Sequence, residues 1–78
     1  MRENNIHNRI ARIRFELNLS KKEFAQNTNV SQATMTRYES GERIPDYCFL
    51  ETTVKTFNVN PMYLFGISDE IFLPVRRR

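Results

Sequence analysis

Ile6, Ile10, Ile13 and Leu17 recur at helical spacing and make one apolar stripe. A first helix is expected from about Asn5 to Leu17, flanked by Arg9, Arg12 and Arg14 and ended near Asn18. A second stripe, Leu50, Val54 and Phe57, marks a later helix. Asp46, just after Pro45, suits its N-cap. Tyr47 flanks that stripe, while Cys48 and Phe49 fall off it and hint at a partner surface. A short last helix follows. Asn60 caps it and Pro61 takes the first helical position, where a missing N–H costs nothing. Met62, Leu64 and Phe65 are expected to supply core contacts, Val59 to plug the core from the loop, and Gly66 to close the helix.

The stretch from Ser20 to Gly41 organises the rest. Ser20 followed by Glu23 is a capping box, and Leu19 with Phe24 has the spacing of a hydrophobic staple. The device recurs at Ser31, with Val30 before it and Met35 after it. Two helices therefore start, at about Lys21 and Gln32, and only residues 27–30 remain for the turn. Asn29 enters the left-handed region more cheaply than most residues and can bend that turn. Gly41 ends the second of these helices at the usual C′ position.

The second helix of this pair has two unlike sides. Met35 and Tyr38, three apart, point with Val30 to the core. Gln32, Ala33, Thr36 and Arg37 fall on the other side. A solvated face more often carries Glu and Lys. This one offers an amide, a methyl, a hydroxyl and a guanidinium, with no acid. Amides suit adenine, guanidinium suits guanine, and a methyl suits the thymine methyl.

The run VSQATMTRYESGERIP, with Ala25 and Asn29 ahead of it, resembles the Cro/repressor (XRE-type) helix-turn-helix family over about residues 6–66. The resemblance implies an all-α fold: a compact five-helix, lambda-repressor-like DNA-binding domain with its helix-turn-helix at helices two and three. It implies a domain over residues 1–66 and a tail over 67–78. The helix at 32–39 is then expected in the major groove of double-stranded DNA, with Gln32, Ala33, Thr36 and Arg37 reading bases. Ser20, Lys21, Ser31, Ser40 and Arg43, together with the N-terminal amides of helices two and three, are expected at phosphates. Arg14 and Glu39 match positions that form an ion pair in that family. One departure stands out: Lys21 occupies a position where the family often has Gln. A lysine binds phosphate as a point charge, but it does not brace Gln32 as an amide would.

Composition narrows the alternatives. The 78 residues suffice for one small domain. A net charge of +3 and a pI near 9.4 fit a nucleic-acid partner. A membrane would attract the same charge, but no segment approaches the roughly 18 apolar residues of a membrane helix, and the N-terminus MRENNIHNRI does not read as a signal peptide. Cys48 is the sole cysteine, so no internal disulfide forms, which fits a reducing cytoplasm. With one Cys and one His no structural zinc site is expected, and His7 reads as a partly exposed polar residue. No Gly-rich phosphate loop or nucleophile–base pair is present, so an enzyme, a cofactor and a small-molecule ligand are not expected. The expected function is that of a small transcriptional regulator, a repressor, binding near-palindromic operators as a homodimer. The second reading is a protein-interaction module, antitoxin-like or antirepressor-like, motivated by Cys48, Phe49 and the apolar Ile71–Leu73. The tail leaves four options: packing on its own domain, pairing with a second copy, the start of a longer segment, or a disordered solvated end. Arg76–Arg78 could grip phosphates.

Overall fold

The computed structural model describes residues 5–74. Five helices follow one another: α1 (Ile6–Glu16), α2 (Lys21–Asn27), α3 (Gln32–Ser40), α4 (Tyr47–Phe57) and α5 (Pro61–Leu64). Among the described residues the only β pairing is an isolated antiparallel bridge between Val59 and Phe72.

The helix boundaries follow from local chemistry. Ser20 accepts from the Glu23 amide at 3.0 Å, and the Glu23 carboxylate accepts from the Ser20 amide at 2.8 Å, so both members of the capping box are made. Ser31, Asp46 and Asn60 each accept from a first-turn amide of α3, α4 and α5. Three asparagines take the left-handed conformation at bends: Asn18 (φ 62°), Asn29 (φ 62°) and Asn58 (φ 58°). Gly41 ends α3 at φ 84°. The left-handed backbone favours glycine there, and a Cβ would also lie a tight 3.3 Å from the His7 imidazole.

The core gathers Ile10 and Ile13 from α1, Phe24 and Ala25 from α2, and Met35 and Tyr38 from α3. Phe24 lies at its centre, stacked on Phe57 at 5.1 Å and edge-on to Phe49 at 6.3 Å. Tyr38 closes the cluster on Phe49 at 4.6 Å. Helix α3 packs on α1 and α2, which fixes its inner side.

Two core expectations need correction. In α4 the fully buried positions are Phe49 and Thr53, which the expected stripe left out; Leu50, Val54 and Phe57 of that stripe pack against the core as partly buried residues. Thr53 hides this register. Its hydroxyl donates to the Phe49 carbonyl one turn back at 2.8 Å, so a polar residue enters the core with its hydrogen bond made. Phe49 is therefore a core residue and not part of a partner surface. In α5 the buried pair is Tyr63 and Leu64, whereas Met62 and Phe65 are 47% and 62% exposed. A helix of four residues turns only one narrow side inward, and Tyr63 takes the place expected for its neighbours.

From residue 67 to Leu73 the chain folds back on its own domain. The Asn60 amide donates to the Ile71 carbonyl at 2.8 Å, and the Leu73 amide donates to Asn58 at 3.0 Å. The side chains of Asn58 and Asn60 add bonds to the carbonyls of Leu73 and Glu70. Ile71 and Phe72 pack against the core as partly buried residues. Arg76–Arg78 lie outside the described residues.

Candidate nucleic-acid interface

Helices α2 and α3 are joined by a turn held from inside. Thr28 is buried and its hydroxyl donates to the Phe24 carbonyl at 2.8 Å, while the Val30 amide donates to the Ala25 carbonyl at 3.1 Å. Ala25 is 2% exposed, so the two helices meet where a larger side chain would separate them. With Met35 and Tyr38 locked inward, the opposite side of α3 is set.

Gln32, Ala33, Thr36 and Arg37 are all exposed and share that opposite side, at spacings of three and four residues. Among the described residues, no hydrogen bond or ion pair within the chain occupies the side chains of Gln32, Thr36 and Arg37. Polar groups left to solvent on a rigid helix are available to an outside partner. Lys21 is half-buried at the start of α2, and Arg43 is exposed in the loop after α3. That loop folds back on α3, since the Arg43 amide donates to the Arg37 carbonyl at 3.2 Å. Two guanidinium-bearing residues are thereby tied together through the backbone at the same end of the helix.

The three serines differ in what they leave free. Ser20 accepts from Glu23, and no bond from its own hydroxyl proton is made within the described residues. Ser31 donates its proton to the Thr34 hydroxyl at 3.0 Å. Ser40 donates to the Arg37 carbonyl at 3.2 Å and accepts from the Glu42 amide at 3.3 Å. Ser31 therefore spends its proton on a neighbouring side chain and Ser40 on a backbone carbonyl, each at an end of α3.

The orientation of α3 is fixed from α1. Arg14 donates to both carboxylate oxygens of Glu39, Nε to Oε2 at 2.7 Å and Nη2 to Oε1 at 3.1 Å. Its Nη1 also reaches the Leu19 carbonyl at 3.0 Å, tying in the chain just before α2. The side chains are 19% and 7% exposed, so the pair is shielded from solvent. The His7 ring, from the other end of α1, lies beside the same helix end, 3.3 Å from where a Cβ on Gly41 would sit.

The sequence gives Arg9 and Arg12 the same flanking place on α1, and their roles separate here. Arg12 makes a surface pair with Glu16 at 2.9 Å. Arg9 is 8% exposed, stacks over the Tyr63 ring at 4.5 Å and donates to the Tyr63 carbonyl at 3.0 Å. The signal was present: Arg9 falls three after Ile6 and four before Ile13, on the buried side. The His7 contact with Gly41 had no local signal, because it joins positions far apart in the chain.

Among the described residues no group of three metal-ligating side chains comes together, and no helix is long and apolar enough to cross a membrane. A family model described as Helix-turn-helix matches residues 9–64. Neither the curated proteins nor the solved structures compared with the chain gave a match.

Proposed function

Because the chain belongs to the Cro/repressor (XRE-type) helix-turn-helix family of DNA-binding regulators, we propose that it is a sequence-specific transcriptional repressor acting from α3 in the major groove. The observation that carries this reading is the outer side of α3: Gln32, Ala33, Thr36 and Arg37, exposed, free of acid, and held rigidly by the core and by Arg14–Glu39.

The contacts divide by kind. Gln32 and Arg37 supply the bidentate contacts, each worth about 1–3 kcal/mol of discrimination against a wrong base. Ala33 and Thr36 add shape and a methyl surface. Lys21 and Arg43 bracket the helix with charge at the phosphates, and Ser20 offers its hydroxyl proton there. The first-turn amides of α3 point toward the same backbone. Ser31 and Ser40 act on DNA through the helix ends they shape. A single domain of this size covers few base pairs, so a homodimer on a near-palindromic operator, with half-sites about one DNA turn apart, is the form that reads enough sequence. The operator is held by occupancy of the groove, and no cofactor enters this account. The alternative of a protein-interaction module loses the support of Phe49, which is buried, and of Ile71 and Phe72, which pack on their own domain.

The test is a salt titration of binding to a selected duplex. Lys21→Ala and Arg43→Ala should each weaken binding across sequences and lower the salt slope by about one. Gln32→Ala should leave the slope in place and relax base preference. If all three variants behave like the wild type, the interface is not on this side of the protein.

A further inference from the structure

Building on the DNA-reading function proposed above, we propose that residues 67–73 form a strap that opens and closes, coupled through α1 to the reading helix. Closing the strap and seating α3 on DNA favour each other. The strap lies beyond residues 9–64, the part of the chain that the helix-turn-helix model matches. Its root is fixed, since the Ile67 amide donates to the Met62 carbonyl at 2.8 Å. The next carbonyl, of Ser68, accepts from Arg9 Nη1 at 3.4 Å, and the same nitrogen donates to the Tyr63 carbonyl at 3.0 Å. Arg9 of α1 thus clasps α5 and the strap together.

The same helix holds α3. Five residues after Arg9, and about 140° further round α1, Arg14 grips both carboxylate oxygens of Glu39 in the last turn of α3. One rigid helix therefore carries the strap on one side and the end of the reading helix on another. A shift of α1 that loosens one contact strains the other, because a close-packed core does not yield continuously.

Beyond Ser68 the strap is held lightly. Two backbone bonds and the side chains of Asn58 and Asn60 secure it. Ile71 and Phe72 are only partly buried, and Asp69, Glu70 and Leu73 are exposed. The bonds from Asn60 and Leu73 flank the Val59–Phe72 bridge, so the amide and carbonyl of Phe72 itself turn away from residues 58–60. Segments with few buried contacts open locally, at free energies below that of global unfolding. DNA selects the seated arrangement of α1 and α3, and so shifts the strap toward its closed state.

The test is hydrogen exchange of the full chain at the Asn60 and Leu73 amides, free and saturated with a selected duplex. DNA should slow exchange at both by roughly 5-fold or more. Phe72→Asp, which holds the strap open, should weaken binding to that duplex by the same factor, because coupling is reciprocal. Its base preference and salt slope should stay as in the wild type. Asn58→Gly probes the strap without touching the core: glycine keeps the left-handed backbone there (φ 58°) and removes the side-chain bond to the Leu73 carbonyl. It should speed strap exchange equally in free and bound protein and leave the effect of DNA intact, so it decides the matter even if Phe72→Asp fails to fold. Strap amides that exchange alike with and without DNA overturn the coupling, as does a folded Phe72→Asp that binds like wild type. A wild type that selects no duplex sinks the DNA reading and this proposal with it; a selective wild type whose strap ignores DNA sinks this proposal alone.

Discussion

Arg14 grips both carboxylate oxygens of Glu39 at 2.7 and 3.1 Å and thereby locks α1 to the last turn of α3. The pair is shielded, so removing one partner strands the other. Glu39→Ala is expected to destabilise the domain by roughly 3–5 kcal/mol. Arg14→Lys should recover only part of the pair, because a lysine lacks the two-pronged geometry. Denaturant melts of the two singles and the double would check this. Coupling near zero in that cycle would mean the two charges act independently.

Gly41 combines a left-handed backbone with a close neighbour. Gly41→Ala is expected to cost about 1–2 kcal/mol from the backbone alone, with a further increment from the His7 ring 3.3 Å away. Adding His7→Ala should relieve the increment and leave the backbone part. Thermal melts of the three variants separate the two contributions; equal midpoints for Gly41→Ala with and without His7 would show that the contact is slack.

Adjacent residues in α4 should respond oppositely. Phe49→Ala removes a ring packed on both Phe24 and Tyr38 and is expected to cost about 3–5 kcal/mol. Cys48→Ser, at an exposed site, should stay within about 0.5 kcal/mol of wild type. Similar losses at both positions would contradict the observed register of the helix.

The segment around Phe72 behaves in this structure as a strap. Phe72→Ala is expected to lower stability by about 1–3 kcal/mol and to speed hydrogen exchange at the amides of Asn60 and Leu73, which donate across the Val59–Phe72 bridge. Unprotected amides at those two positions in the wild type would show that the strap is open in solution.

Much of this architecture was legible in the residues because its signals are local. Ser20 with Glu23, Ser31 and Asn60 announce helix starts through bonds to amides two or three residues away, and Gly41 announces an end. The side of α3 was legible too, since Met35 and Tyr38 define its interior by spacing alone. The register of α4 was not. Thr53 looks polar in a sequence, and only the bond to its own helix shows that it is at home in the core. The same limit hid Tyr63, which is buried with Arg9 lying over its ring from 54 residues away. Contacts of that kind follow from tertiary packing, which no window of neighbouring residues contains.

The central claim is that the outer side of α3 reads bases. The most direct measurement is binding-site selection from random duplex DNA, run with the wild type and Arg37→Ala side by side at fixed salt. The account predicts that the wild type enriches an inverted repeat and that Arg37→Ala loses preference at one symmetric position in each half-site. Enrichment of nothing beyond general, salt-sensitive binding by both proteins would contradict it.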